Sequence, residues 1–113
     1  MKKPNLFIVG EPKTGSSSLK NYLNSHPDIF IFSAEYFCKD FHKESKKFHN
    51  KQRGGYKKKK YFQCTKKRDY LKKYQNKQTK IIGDESQIYL YSKVSAEEIY
   101  KFNPNAKIIM LFR

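Results

Sequence analysis

Near its start the chain has an apolar run that leads into a glycine-containing loop and then into a predicted helix. Leu6 to Val9 are apolar, and Gly10 and Gly15 follow with four residues between them. In the ordinary phosphate-binding loop (P-loop), two glycines at this spacing follow a strand and open a helix, so that backbone N–H groups wrap a phosphate. The motif therefore predicts a buried parallel strand, followed by a helix that packs on the sheet.

The lysine of this loop is displaced from its ordinary position. An ATP- or GTP-binding loop has lysine directly after the second glycine, whereas this chain has Ser16 there and Lys13 inside the loop. The displacement argues against an ordinary ATP or GTP site and favours a different phosphate ester. A P-loop kinase that uses ATP and magnesium is the disfavoured alternative.

The rest of the chain alternates predicted helices and strands. The first helix should begin near Ser16, with Ser16 or Ser17 as its cap, and end before Pro27, since proline disfavours a helical conformation in the preceding residue. A strand or buried loop is expected at 29–32, a helix at 69–74 and a short strand at 81–83, after which Asp84, Glu85 and Ser86 form a turn. A capping box at Ser95 predicts a helix that ends near Asn103, and 108–112 should be a buried parallel strand. This order is that of an α/β fold with a parallel sheet, whose ligands lie at the carboxyl ends of the strands.

The positive charge is concentrated in one segment. Residues 39–80 hold 17 basic and three acidic residues, which gives +14 of the chain's net charge of +15. Such a segment attracts polyanions, although a solvated lysine-rich insertion or loop is an equally good interpretation. We treat the segment as an insertion or loop region at about 39–80, within residues 1–113 that form the N-terminal part of a single domain.

The two cysteines and the histidines match no metal-binding spacing. Cys38 and Cys64 are 26 positions apart, which favours reduced thiols in a cytosolic protein. A metal site formed by His42, His49 and Cys64 is therefore not expected. We also find no targeting segment and no run of about 20 apolar residues, so we expect a cytoplasmic protein with no membrane segment.

Four blocks of the sequence, in this order, resemble the sulfotransferase family that uses 3′-phosphoadenosine 5′-phosphosulfate (PAPS). The resemblance is closest to its bacterial and heparan-sulfate-type carbohydrate branch. It covers nearly all of this chain but only about the first half of a typical family domain, so we expect a fragment or a truncated reading frame. The matching blocks are 4–19, 23–28, 83–92 and 103–113.

The resemblance implies a P-loop-containing three-layer sandwich with a central parallel sheet, truncated after about half of the domain. It also implies that the loop holds the 5′-phosphosulfate and that Lys13 neutralises the bridging oxygen as the sulfuryl group leaves. Arg113 occupies the position of the family's ligand for the 3′-phosphate, whereas the serine that usually assists it some eight residues later lies beyond the end of the chain. The implied donor-binding residues are Lys13, Thr14, Gly15, Ser16, Ser17, Ser18 and Arg113.

The general base is the least well defined of the implied residues. The family supplies a glutamate in a Lys-Glu-x-His-Phe-Phe-like segment, and this chain has Ser33-Ala34-Glu35-Tyr36-Phe37 at the corresponding place. Glu35 is the best match, although the lysine before it and the histidine two residues after it are absent. Glu85 and His42 are lesser candidates for a group that takes the proton of an acceptor hydroxyl.

The expected function is transfer of a sulfuryl group from PAPS to a hydroxyl or amine, with a carbohydrate, such as an acidic glycan, as the expected acceptor. Lys13 can reach the leaving oxygen without a metal ion, since positioning and electrostatic stabilisation supply most of the rate in this kind of chemistry. Two alternatives stay open: an inactive truncated fragment and a basic polyanion-binding protein. Nucleic acid is a less expected partner, because nothing in the sequence marks a nucleic-acid-binding fold.

Overall fold

The computed structural model describes residues 3–11, 15–42 and 64–112, with only the backbone described at residues 16 and 17. Its strands are β1 (Leu6–Gly10), β2 (Ile29–Phe32), β3 (Ile81–Ser86) and β4 (Lys107–Leu111). They form one parallel sheet in the order β2-β3-β1-β4. The strand that precedes the glycine loop thus lies inside the sheet, between β3 and β4.

Helices connect the strands on both faces of this sheet. They are α1 (Ser16–Asn24), α2 (Lys67–Lys72), α3 (Ile88–Tyr91) and α4 (Ser95–Phe102), and residues 39–42 are also helical. The connection through α1 and the connection through α4 cross the sheet in opposite directions, so right-handed crossovers put these two helices on opposite faces. The predicted α/β fold with a central parallel sheet is confirmed.

The core on one side of the sheet is largely aromatic. Phe37 lies at its centre, with ring centroids 5.7 Å from Phe7, 5.3 Å from Tyr70 and 6.0 Å from Tyr89. Tyr36 stacks on Tyr70 at 4.7 Å. Edge-to-face and stacked ring pairs of this kind add to the stabilisation from burial alone. These contacts join β1, the segment after β2, α2 and α3 into one packed unit.

β3 is longer than the sequence indicates. The prediction that Asp84, Glu85 and Ser86 form a turn after the strand is wrong, because all three belong to β3 and are at most 6% exposed. Buried polar groups are tolerated only when they have hydrogen-bond partners. The partners of Asp84 and Glu85 come from residues distant in sequence and are described below.

Both predicted helix caps are also wrong. The N-cap of α1 is Gly15, in a left-handed conformation, with no hydrogen bond from a capping side chain. At α4, Ser95 donates its hydroxyl to the carbonyl of Phe37 instead of capping the helix. The hydroxyl of Ser92 accepts from the N–H groups of Val94 and Ser95 and so takes over the role of the cap.

β4 is a parallel strand as predicted, but it is not buried. It lies at one edge of the described sheet, where Ile108 is 44% exposed and Met110 is 56% exposed. In the lysine-rich segment, residues 43–63 lie outside the described part of the chain. The following part folds as α2, which ends at Lys72, two residues before the predicted end. Tyr70 and Leu71 on this helix and Tyr74 in the turn after it are all buried.

Candidate functional site at the carboxyl ends of the strands

The predicted strand and helix are present on either side of the first glycine motif. β1 ends at Gly10 and α1 begins at Ser16, with residues 12–14 outside the described part of the chain. Gly15 has a φ of 91°, and a Cβ added there would meet nothing within 4 Å. The left-handed backbone, and not a close contact, therefore explains why glycine stands at the entrance to the helix.

The ends of β1 and β4 lie side by side at the same edge. Gly10 is the pairing partner of Leu111, and the N–H of Glu11 donates to the carbonyl of Leu111 at 3.0 Å. The chain therefore enters the glycine loop directly beside the place where β4 ends. Leu111 is two positions before Arg113 in the sequence, so the fold brings the chain segments that lead to both predicted donor contacts together.

The structure describes only part of the predicted donor site. Lys13, Thr14 and Arg113 lie outside the described residues, as do the side chains of Ser16 and Ser17. Gly15 and Ser18 are described and exposed, at the beginning of α1. The N–H groups of the first turn of a helix have no partners within the helix and carry a partial positive charge, which suits them to an anion.

Glu35, the predicted general base, lies in the segment that follows β2. Its φ of 53° makes it the only non-glycine residue with a positive φ in the described part of the chain. Its carbonyl oxygen accepts from the thiol of Cys38 at 3.0 Å and from Nε2 of His42 at 2.7 Å. Because a carbonyl can only accept, Nε2 of His42 carries a proton.

A second carboxyl group affects Glu35 electrostatically. Glu85 is 6% exposed and accepts a hydrogen bond from the hydroxyl of Ser33 at 2.7 Å. Burial raises the pKa of Glu35 above its ordinary value of 4.5, and the negative charge of Glu85 raises it further. A base whose pKa lies nearer to neutral pH accepts a proton more readily, which is the property that general-base catalysis needs.

Asp84 is a third carboxyl group, and it is completely buried. Its Oδ2 accepts from the hydroxyls of Tyr89 at 2.6 Å and Tyr70 at 2.8 Å, and its Oδ1 accepts from the N–H of Ala34 at 3.3 Å. Burial raises the pKa of Asp84 to about 7, although the three hydrogen bonds oppose this shift. Because Asp84 is fully buried and its hydrogen bonds reach Ala34 and Tyr89, it has a structural role toward the neighbouring segment.

Sequence reasoning found Glu35 and Glu85 but missed the tyrosines that organise them. The hydroxyl of Tyr89 accepts from the N–H groups of Tyr36 at 2.9 Å and Phe37 at 3.4 Å, while it donates to Asp84. The charged residues within an otherwise apolar strand were the available signal, since a buried carboxylate requires partners. Nothing in the spacing of the sequence identifies which tyrosines supply them.

The two cysteine thiols of the described residues are buried and unreactive. Cys38 and Cys64 are buried free thiols, and burial, with the charge of Glu35 as a further cause, raises the pKa of Cys38 to about 12. A thiol held protonated in this way is a poor nucleophile and a poor metal ligand. The structure shows no group of three metal-ligating side chains among the residues it describes, and His49 lies outside them.

The described part of the chain contains no helix long and apolar enough to cross a membrane. The start of the glycine loop, the end of β4 and the segment around Glu35 follow strands of one parallel sheet and so lie at the same edge. These are the carboxyl ends of β1, β4 and β2, where α/β proteins bind their ligands.

Comparison with known proteins agrees with this arrangement. A crystal structure of a sulfotransferase from Alicyclobacillus acidocaldarius superimposes with a TM-score of 0.74 at 26% sequence identity, over 97% of this chain and 44% of that chain. The chain thus spans less than half of the length of that enzyme. No curated protein matches the chain. The model of the sulfotransferase family matches residues 4–113, and the chain therefore belongs to the sulfotransferase family.

Proposed function

We propose that this chain supplies the donor-binding edge of a PAPS-dependent sulfotransferase. The observation that carries the proposal is the left-handed Gly15 at the start of α1, beside the paired ends of β1 and β4. This geometry suits a donor with two anionic groups. The chain after β1 leads into the glycine loop, and the chain after β4 leads to Arg113. The donor contacts proposed are those expected from the sequence: Lys13, Thr14, Gly15, Ser16, Ser17, Ser18 and Arg113.

The chain's residues would divide the chemistry between them. Lys13 would neutralise the phosphate oxygen that keeps the electron pair when the bond between that oxygen and sulfur breaks. Glu35 would accept the proton that the acceptor hydroxyl or amine loses as its oxygen or nitrogen bonds to sulfur. The raised pKa of Glu35 supports this role. The products are then the sulfated acceptor and 3′-phosphoadenosine 5′-phosphate.

The acceptor is the least constrained part of the proposal. An acidic carbohydrate suits the charge of the chain, because the basic side chains of α2 are exposed. Lys66, Lys67 and Arg68 are exposed at its start, and Asp69 is the one acidic residue of the helix. A carbohydrate acceptor in a cytoplasmic bacterial or heparan-sulfate-type enzyme is proposed on this basis together with the sequence resemblance.

Isothermal titration of the full-length protein with 3′-phosphoadenosine 5′-phosphate tests the donor site. We expect binding that weakens by about tenfold or more in Lys13→Ala and in Arg113→Ala, since each variant loses a charge-assisted contact. Lys72→Ala is the matched control, because it removes one exposed lysine of α2 and should leave the affinity unchanged. Absence of binding by the wild type, or equal binding by all three variants, would contradict the proposal.

The basic face of α2 also favours a second candidate function, binding of polyanions without a nucleotide. Such binding weakens steeply as salt concentration rises, because bound counterions are released. Titrating a sulfated glycan and single-stranded DNA at several salt concentrations, with and without 3′-phosphoadenosine 5′-phosphate, separates the two functions. Equal, salt-sensitive binding of both polymers by a protein that does not bind the nucleotide would favour the second candidate.

A further inference from the structure

The backbone around Glu35 is held in an unfavourable conformation by hydrogen bonds from several sides. A positive φ is disfavoured for any residue with a Cβ, and it persists only where the surroundings determine it. The glutamate at this position has a φ of 53°. Residues strained in this way cluster at active sites and ligand-binding positions.

Asp84 and Tyr89 supply the contacts that determine this conformation. Asp84 accepts from the N–H of Ala34, the residue before Glu35, and Tyr89 accepts from the N–H groups of the two residues after it. The hydroxyl of Tyr89 can present its lone pairs to these N–H groups because its proton is donated to Asp84 at 2.6 Å. The carboxyl of Asp84 thus fixes the backbone on both sides of Glu35, once directly and once through Tyr89.

Tyr70 provides an internal comparison for this arrangement. Its hydroxyl donates to the same carboxyl oxygen of Asp84, at 2.8 Å, and its ring is buried like that of Tyr89. Within the described part of the chain, the hydroxyl of Tyr70 has no hydrogen bond to the segment that carries Glu35. Loss of either hydroxyl removes one bond to Asp84, but only loss of the Tyr89 hydroxyl frees N–H groups of that segment.

We propose that Asp84 and Tyr89 are positioning residues that hold Glu35 in its left-handed conformation, with the carboxylate directed toward the acceptor. The proposal deepens the proposed function and rests on the role of Glu35 as general base. A network of this kind acts by keeping a reacting group within the small range of geometry that proton transfer requires. Asp84 and Tyr89 need not touch the substrate for this.

The test compares Tyr89→Phe with Tyr70→Phe in the full-length enzyme. At saturating donor we expect Tyr89→Phe to lower kcat by about tenfold or more, since small displacements of a catalytic group are costly, with KM for the donor unchanged. Tyr70→Phe should stay within about twofold of wild type, although it loses an equivalent buried bond. Equal losses of kcat in the two variants would overturn the proposal.

A double variant shows whether Tyr89 acts through Glu35. Once Glu35→Gln has removed the base, adding Tyr89→Phe should cause no further loss of kcat, because the residue that it positions is already inactive. An undiminished additional loss in Glu35→Gln/Tyr89→Phe would overturn the positioning role.

Hydrogen exchange of the backbone amides of residues 34, 36 and 37 provides a readout independent of activity. Exchange at 36 and 37 should become faster in Tyr89→Phe and should be unaltered in Tyr70→Phe. Full activity of Glu35→Gln would refute the general base, and absence of nucleotide binding would refute the proposed function. In either case, unaltered exchange in Tyr89→Phe would show separately that Tyr89 does not hold the segment.

Discussion

The side chain of Asn24 bonds to both backbone polar groups of Ile31. Its Nδ2 donates to the carbonyl of Ile31 at 2.9 Å, and its Oδ1 accepts from the N–H of Ile31 at 2.7 Å. Asn24 is the last residue of α1 and Ile31 lies in β2, an edge strand of the described sheet. One amide therefore satisfies two backbone groups of an edge strand and joins the first helix to the segment that leads to Glu35.

Asn24→Ala should lower the free energy of unfolding by about 1–3 kcal/mol, because it leaves two partly buried backbone groups without a partner. Asn24→Asp should have a smaller effect, since the carboxylate still accepts from the N–H of Ile31. Urea unfolding measures both. Asn21→Ala, an exposed asparagine of the same helix, is the control, and an equal loss in Asn21→Ala and Asn24→Ala would contradict the prediction.

The strain at Glu35 predicts an unusual response to glycine. Glu35→Gly and Glu35→Ala both remove the carboxylate, but only alanine retains a Cβ that opposes a φ of 53°. Glu35→Gly should therefore be more stable than Glu35→Ala by about 1 kcal/mol, the reverse of the usual order for these two residues. Thermal or urea unfolding of the two variants decides this, and a more stable Glu35→Ala would show that the strain is absent.

The sequence predicts the strands and the helix around this site better than the burial and conformation of the residues within it. Apolar runs identify β1 and β4, and Pro27 marks the end of α1, because these signals are local. The burial of Asp84 could not be read in the same way, since charged residues are rare in strands and its partners Tyr70 and Tyr89 come from other elements. The left-handed conformation of Glu35 is likewise imposed by tertiary hydrogen bonds. Because the residue is not glycine, the sequence contains no local signal for this conformation.

The buried Asp84 should make stability depend on pH. Its pKa is raised from 3.8 in the unfolded chain to about 7 in the folded protein, mainly by burial. The folded state thus binds the proton more tightly, so the stability that this group contributes is fully present below pH 3.8 and is lost as the pH rises through about 7. Asp84→Asn cannot ionise, and its free energy of unfolding should fall less than that of wild type between these two pH values.

Asp40 is the control for this experiment because its shift has the opposite sign. Burial acts to raise its pKa, but hydrogen bonds from the hydroxyl of Ser92 and the N–H of Lys93 outweigh burial and hold the pKa below 3.8. Its contribution is present above that value and is lost only as the pH falls further. Asp40→Asn should therefore not change how the free energy of unfolding varies between about pH 4 and 7. If Asp84→Asn shows the same pH dependence of the free energy of unfolding as the wild type, the assignment to Asp84 is contradicted.

Glu85 should set the acid side of the pH–rate profile through its effect on Glu35. A general base works only when it is ionised, so the rate falls as the pH drops through the pKa of Glu35. That pKa is raised first by burial and then by the charge of Glu85. Glu85→Gln removes the charge while it keeps an oxygen to accept from Ser33, and the acid limb of kcat/KM should therefore move to lower pH.

Asp28→Asn is the control for this experiment. It removes an exposed carboxylate from the turn before β2 and should not move the acid limb of kcat/KM. An unmoved limb in Glu85→Gln, or one moved to higher pH, would show that Glu35 is not the group that titrates in the reaction.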